Sequence, residues 1–444
     1  VPTEPRTPAV PDIEEICRSA ERQLARRFGG TQKITGSEEL HGTGNSVVLR
    51  VRLAANPFLQ ERSLVVKYIP VTDDELDDAA LVREIVAYQF TTSLPEEARP
   101  GPVLLAYDID ERTIVISDSG DGDTFADLLD TGDAEDRLQI LRNLGQALGR
   151  MHAATAEREQ DFETLRTRLG RTYPDAASVN RYRSTAHRFV IDRGMELIRS
   201  VGITVPGPVE ELGREAAKRL QGGRRAFTPI DLSPDNIIVA GRTQFLDYEW
   251  AAFRDVGFDL ASVISGFPGF LTTRPISDDE ADVFVDAWTH EVDQIWPTVR
   301  DDHALHGRLV TALLGVALAE VANLHYGSSH NVVDAVAAAA GDASIGRYPE
   351  DVTPAERLLA APGSLDFSDA ELMLRRDLFE TFEALARFAG REATCRQADP
   401  RTRVVTGFAE ALAELLDDSD AALGIDADRD SAPGAEDHRD PEAR

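Results

Sequence analysis

The chain has 444 residues, 42% of them hydrophobic, and its 78 Asp and Glu outnumber 47 Lys and Arg to give a formal net charge of −31. That length predicts two or three lobes with ample core material. The acidity excludes a general nucleic-acid binder or a protein docked on anionic lipid, since both need clustered cations. Two cysteines, Cys17 and Cys395, are too few for a disulfide framework or a thiolate metal site. With no apolar secretory stretch in the proline-rich start, a reduced, cytoplasmic setting is expected.

Residues 1–12 read as a disordered leader, and Ile13 to Phe28 as a helix with Ile13, Ile16, Ala20, Leu24 and Phe28 on one face. Four β-branched runs follow, Ser46–Leu53, Ser63–Ile69, Val103–Asp108 and Thr113–Ser117, with helical spacing from Asp77 to Leu94 between the second and third. Residues 13–119 therefore predict an N-lobe with a small antiparallel sheet and one interposed helix. After Gly120 the pattern turns helical: Thr124–Leu129, then Ala134–Ala156 with a leucine stripe, then helices of uncertain limits to Ala226. A hairpin over Asn236–Asp247 precedes more helices, so 120–416 reads as a helical C-lobe. Its longest apolar run, Leu309 to Ala319, is eleven residues, which predicts a buried helix and no membrane span. The last 28 residues carry ten acids and three arginines without apolar periodicity, so 417–444 reads as a disordered acidic tail.

Only three of the 47 cations are lysines, at 33, 67 and 218. A lysine inside a strand is therefore worth attention. Period-two alternation puts Lys67 on the face of Val65 and Ile69, where it needs an anionic partner. Glu84 lies on the semi-apolar side of the next helix, with Leu81, Ala87 and Tyr88 at helical spacing, and needs a cation. A Lys67–Glu84 pair satisfies both.

In the hairpin, a two-residue turn at Gly241-Arg242 would set Asn236 directly across from Asp247 at its mouth. An amide oxygen and a carboxylate converging there suit a hard cation such as Mg²⁺, although ordinary polar turn residues would look the same. Asp231 lies five residues before Asn236 in a loop with Pro229 and Pro234, and can reach that mouth. The turn His41-Gly42-Thr-Gly44-Asn45-Ser46 has two glycines that let backbone N–H groups approach a phosphate, or that simply close a turn. It lacks the Lys-Ser/Thr of a Walker loop.

Taken in order, the Gly-rich turn, strand Lys67, helix Glu84, hinge-like strand, Asp231-Leu-Ser-Pro-Asp-Asn236 and Phe245-Leu-Asp247-Tyr-Glu-Trp resemble the aminoglycoside phosphotransferase and choline kinase family. The resemblance extends through Arg254-Asp-Val-Gly-Phe-Asp259. It implies an α+β, two-lobed protein-kinase-like fold and an ATP-dependent transfer of the γ-phosphoryl group to a small-molecule hydroxyl. The acceptor would be an aminoglycoside, amino sugar, sugar or amino alcohol, with no role for nucleic acid or membrane. In that reading Gly42, Gly44, Asn45, Ser46, Lys67 and Glu84 serve the nucleotide phosphates. Ser117 and Ser119 lie in the hinge, Asn236 and Asp247 hold Mg²⁺, Asp231 accepts the acceptor's proton, and Asp259 stabilises the catalytic loop.

Pro229 stands where this family usually has His, and Ile230 where Gly is common. That favours the alternative of a catalytically impaired, nucleotide-binding regulatory module. A true protein kinase is disfavoured because no Ala-Pro-Glu follows Asp247. Five acids between Asp118 and Asp130 (118, 121, 123, 127 and 130) would line the cleft rim, where they could meet a cationic acceptor or form a solvated loop. The histidines His290, His303, His306, His325 and His330 lack metal-site spacing.

Overall fold

The computed structural model describes residues 11–40, 46–72, 75–270, 274–342, 352–393 and 399–418. It begins with α1 (Ile13–Phe28), where the Asp12 carboxylate caps the helix by accepting the Glu15 N–H at 2.7 Å. The strands β1 (Ile34–Leu40), β2 (Val47–Leu53), β3 (Ser63–Tyr68), β4 (Leu104–Asp108) and β5 (Thr113–Ser117) form one antiparallel sheet in the order β1-β2-β3-β5-β4. Helix α2 (Glu75–Thr92) lies between β3 and β4 in the chain. Strand β1 is absent from the expected elements because this edge strand is mostly exposed and carries no apolar alternation.

The pleat gives the sheet two distinct faces. Leu49, Val51, Leu64, Val66 and Val115 point toward α1 and form a small core with Ile16, Ala20 and Leu24. Val65 and Lys67 point the other way, toward α2. That helix is buried nearly all round, so it has little amphipathic stripe and packs on the first long helices after residue 158 as well as on the sheet.

The chain leaves β5 at Ser117 and crosses to β6 (Asp123–Thr124). Helices α3 (Phe125–Thr131), α4 (Ala134–Thr155), α5 (Glu159–Thr172), α6 (Pro174–Ser200) and α7 (Gly207–Arg219) follow. Next come β7 (Arg225–Thr228), β8 (Ile237–Ala240), β9 (Arg242–Phe245) and β10 (Ala252–Asp255). The C-terminal helices are α8 (Gly257–Ile264), α9 (Asp278–Val292), α10 (Asp302–Tyr326), α11 (Ser329–Ala339), α12 (Ala355–Leu358), α13 (Asp369–Ala393) and α14 (Pro400–Leu416). A small antiparallel sheet lobe thus sits on a larger helical lobe.

One expectation needs correction and another needs extending. The hairpin turn is one residue tighter than expected: Ala240 pairs with Arg242, and Gly241 alone makes the turn at φ +71°. Only glycine adopts that conformation without strain. Asn236 therefore faces Leu246, whose N–H donates to the Asn236 carbonyl at 2.8 Å, and Asp247 lies one residue beyond the paired register. The eleven-residue apolar run, in turn, is the middle of the 25-residue α10, which is long and apolar enough to cross a membrane by length and composition. Its most apolar stretch is 72% buried, against α6, α7, α8 and α13, so it is the central core helix of the lobe.

The pair β7–β10 was also unforeseen. Each strand is four residues long, and Arg225, Arg254 and Asp255 interrupt the apolar pattern. Its register sets Ala252 against Thr228, so the loop from Pro229 to Asn236 starts at a fixed point beside β10. Residues 1–10 and 419–444, most of the expected leader and tail, lie outside the described residues. The first residues of the tail are anchored: Arg375 Nε donates to Asp418 at 2.6 Å.

Candidate active site

Lys67 is central in the sheet, opposite Val48 of β2 and Ile114 of β5. Its ammonium reaches across to α2 and donates to both Glu84 carboxylate oxygens, at 3.0 and 3.1 Å. It also lies 3.3 Å from Asp247 Oδ1. Glu84 is only 2% exposed, and burial pushes its carboxyl up to about 7 while Lys67 pulls it back. Burial alone would lower the Lys67 pKa, but Glu84, Asp247 and Glu249 outweigh it and hold the ammonium above its ordinary value. The pairing expected from the sequence is present, with Asp247 as a third member.

Below it, the loop after β7 is shaped by its own side chains. The Asp231 carboxylate accepts the Ser233 N–H at 2.9 Å, folding the loop back on itself. The short turn Pro234–Asn236 follows, and Asn236 Nδ2 lies 3.5 Å from Asp231 Oδ2. Asp247 leaves β9 at φ +54°, an uncommon conformation for a non-glycine residue that swings it out of the strand register toward Lys67. Asp231 is exposed on the cleft floor, yet loss of hydration among the surrounding groups pushes its carboxyl up to about 6. The neighbouring charges of Asp247, Glu249 and Asp235 add to that rise, and the Ser233 N–H opposes it.

The loop is held from behind by a buried chain of polar groups. Arg254, on β10, donates through Nε to Asp259 Oδ1 at 3.2 Å and through Nη2 to the Ile230 carbonyl at 3.5 Å. Fully buried His152, on α4, bonds Asp259 Oδ2 through Nε2 at 3.2 Å. Trp288 Nε1 donates to His152 Nδ1 at 3.0 Å. Indole is only a donor, so Nδ1 is the acceptor and the ring proton sits on Nε2, facing Asp259. Asp259 thus reaches the loop that carries Asp231 through Arg254. The residues Arg254, His152 and Trp288 had been given no role in this; a lone histidine on the apolar face of a long helix was the one available hint.

Pro229 is buried, and Ile230 adopts φ +72°. A β-branched residue in left-handed backbone is strained, and glycine is the residue that would adopt it freely.

Gly42, Gly44 and Asn45 lie outside the described residues, and half-buried Ser46 borders β2. Ser117 closes the β4–β5 end: its hydroxyl accepts the Val103 N–H and its own N–H donates to the Val103 carbonyl, both at 2.9 Å. Ser119 is half-buried on the crossover. Three of the rim acids have structural duties that compete with ligand contact. Arg50 pairs with Asp118 at 3.0 Å and with Asp121 at 2.7 Å. Asp127 accepts the Thr124 hydroxyl at 2.7 Å at the start of α3.

Among the described residues no cluster of three or more His, Cys, Asp or Glu side chains is arranged to hold a metal ion unaided. The donors at the cleft still fit Mg²⁺ bound jointly with phosphate and water, which is how that ion is commonly held. Asn236 offers an amide oxygen, Asp247 is 35% exposed toward the cleft, and Glu249 follows two residues later. Glu249 is pushed up first by burial and then by Asp247, so the site carries a local excess of negative charge that a divalent cation would relieve. Glu249 was not among the expected ligands, although the stretch around it had drawn notice.

The motif resemblance can now be set beside known proteins. Residues 97–301 match the phosphotransferase enzyme family. That span contains Asp231, Asn236, Asp247 and Asp259 but not Lys67 and Glu84, so the strand–helix ion pair is a separate observation from the same site. No curated protein matches the chain significantly. Among solved structures, the chain is similar to a choline/ethanolamine kinase family protein from Mesorhizobium loti (13% identity, 88% of this chain and 99% of that one, TM-score 0.39). It is also similar to a choline kinase from Cryptosporidium parvum (10% identity, 86% and 98%, TM-score 0.45). The GDP complex of wild-type aminoglycoside 2′-phosphotransferase-IIIa is a third (10% identity, 72% and 95%, TM-score 0.38).

Proposed function

We propose that this chain transfers the γ-phosphoryl group of ATP, or another nucleoside triphosphate, to a hydroxyl of a small molecule. The observation that carries the reading is the convergence of Lys67, Glu84 and Asp247 on one side of the cleft with Asp231 and Asn236 on the other. Lys67, fixed by Glu84, neutralises nucleotide phosphate charge. Asn236, Asp247 and Glu249 hold Mg²⁺, which when bound supplies charge compensation on the phosphates. Asp231 orients the acceptor hydroxyl and takes its proton. Positioning and electrostatics supply the rate, with no covalent intermediate.

The acceptor enters a cavity of about 190 Å³ beside Asp231, lined by Val190, Phe258, Phe267 and Val316 together with Glu320 and Asn323. Glu320 is buried beside Asp377, and burial together with that second acid pushes its carboxyl well up. A cationic group of the acceptor would replace the proton this pair retains. Glu320, rather than the rim acids, is therefore the group that favours a cationic acceptor.

The strained Ile230 beside Asp231 supports the second reading, a nucleotide-binding module with impaired catalysis. One experiment separates the two: Mg-ATP turnover against amino sugars, aminoglycosides, choline-like alcohols and neutral sugars, with Asp231→Asn as control. Transfer to any acceptor, lost at least about 1,000-fold in Asp231→Asn, supports the kinase. Nucleotide binding without transfer supports the impaired module.

Because Asp231 must be ionised to accept the proton, kcat/KM should fall as pH drops through about 6. The sign for stability is opposite. A carboxyl raised in the folded state favours its protonated form there, so its contribution to stability declines as pH rises from the ordinary carboxylate range through about 6. Asp231→Asn should flatten that decline while abolishing turnover.

A further inference from the structure

Beside the loop that carries Asp231, α5, α6 and the β7–β10 pair enclose a groove of about 370 Å³. In a chain of net charge −31 its lining is strongly basic: six arginines against two glutamates. The two acids are already engaged. Glu159 accepts from Arg225 Nε at 2.9 Å, and Glu163 from Arg166 Nε at 2.8 Å. Arg254 is engaged with Asp259.

The remaining three arginines, Arg83, Arg181 and Arg188, form no ion pair with any carboxylate of the described residues. Arg83, 5% exposed on the groove floor, has only neutral partners. It donates to Asn180 Oδ1 at 2.9 Å, to the Asn180 and Ala251 carbonyls at 3.1 and 3.2 Å, and to Ser184 Oγ at 2.8 Å. Arg181 donates to Ser178 Oγ at 2.9 Å. A buried guanidinium satisfied in hydrogen bonds but not in charge is an unfavourable arrangement for stability alone. It suits a site that receives its counter-charge from a ligand.

We propose that this groove binds a phosphate dianion, free or as a phosphomonoester, beside the loop that carries Asp231. Planar guanidinium groups match phosphate oxygens bidentately. The outer arginines, Arg166, Arg181 and Arg188, are accessible on α5 and α6, so a ligand can enter from solvent without opening the fold. His187 lines the groove as well, and burial with Arg254, Arg83 and Arg183 lowers its pKa to about 3. It is therefore a neutral ring that can donate one hydrogen bond without adding charge.

Occupancy would be felt at the active site through the wall the two cavities share, His187, Leu220, Ile230 and Arg254. Arg254 and Ile230 line this groove and the acceptor cavity alike, and Arg254 donates to the Ile230 carbonyl, next to Asp231. A dianion competing for Arg254 would loosen its grip on Asp259 and Ile230, shifting the position of the base.

The test is calorimetric titration of the full-length protein with inorganic phosphate at constant ionic strength, comparing wild type with Arg166→Gln/Arg188→Gln, Arg181→Gln and Lys67→Ala. Saturable binding that weakens at least tenfold in the double variant, weakens less in Arg181→Gln and persists in Lys67→Ala supports the site. Equal binding by wild type and both arginine variants, binding lost only in Lys67→Ala, or no saturable binding overturns it. None of these readings depends on turnover, so the outcome is independent of the proposed kinase activity.

Glucose 6-phosphate, a phosphomonoester with free hydroxyls, distinguishes the two sources of the phosphate. If wild type phosphorylates it and Arg166→Gln/Arg188→Gln does so far less, the groove holds the anionic end of an acceptor. If it binds in the groove without being phosphorylated, the groove is an effector site.

Discussion

Arg83 and Glu84 are consecutive residues of α2, 5% and 2% exposed, and the protein treats their charges in opposite ways. Glu84 faces the sheet and meets a full opposite charge in Lys67. Arg83 faces α6 and β10 and meets only amide, carbonyl and hydroxyl oxygens. Burial penalises both ions, so the comparison isolates charge pairing as the variable. The side of the helix toward the sheet is internally matched. The neighbouring face, about 100° round the helix, has no carboxylate in direct contact with its cation.

The largest effect should come from breaking the matched side. Lys67→Ala leaves Glu84 buried without a cation, and removing one partner of a buried pair costs about 3 kcal/mol or more. We expect that loss in urea unfolding, together with a fall in kcat/KM of at least about 100-fold from lost phosphate neutralisation. Adding Glu84→Gln should restore part of the stability and none of the turnover. Unchanged stability and nucleotide affinity in Lys67→Ala would mean that the pair is incidental.

Arg83→Met probes the unmatched side and should cost less. It abandons four neutral acceptors, at about 0.5–1.5 kcal/mol for each bond lost, but also removes a buried charge that no carboxylate pairs directly and that Glu163 offsets only in part. The two terms oppose, so unfolding measurements should place it within about 2 kcal/mol of wild type and clearly above Lys67→Ala. If Arg83→Met proved the more damaging substitution, the distinction between the two sides would collapse.

The sequence disclosed the matched side far better than the unmatched one. Lys67 stood out because lysine is scarce in this chain and strand alternation fixes which way a side chain points. Glu84 stood out because helical spacing put it among apolar neighbours. Both signals are local, as were those for most of the helices and for the N-terminal sheet. The basic groove draws arginines from α2, α5, α6, β7 and β10, which come together only in the folded lobe, and among 47 cations no single one of them is conspicuous. Arg254, His152 and Trp288 escaped for the same reason, being joined by tertiary hydrogen bonds rather than by spacing. The hairpin register was missed by one residue because the same apolar runs and the same Gly241 are compatible with a one- or a two-residue turn, and spacing alone does not choose between them.

The smallest effect, and the sharpest in sign, concerns Ile230, the residue next to Asp231. Ile230 lies at φ +72°, where a β-branched side chain costs roughly 1–2 kcal/mol. Ile230→Ala removes apolar burial but keeps a β-carbon in that conformation, so the strain is reduced only in part. Ile230→Gly loses the same burial and relieves the strain, against an entropic penalty of roughly 0.5–1 kcal/mol. Ordinarily alanine is the more stabilising of the two. Here glycine should match or exceed it by up to about 1 kcal/mol in melting or urea midpoints, with turnover more nearly retained. The order of the two variants carries the information, because lost side-chain contacts are common to both and cancel. Alanine clearly above glycine would show that the left-handed backbone at Ile230 stores no strain, and the loop before Asp231 would then be held by Arg254 alone.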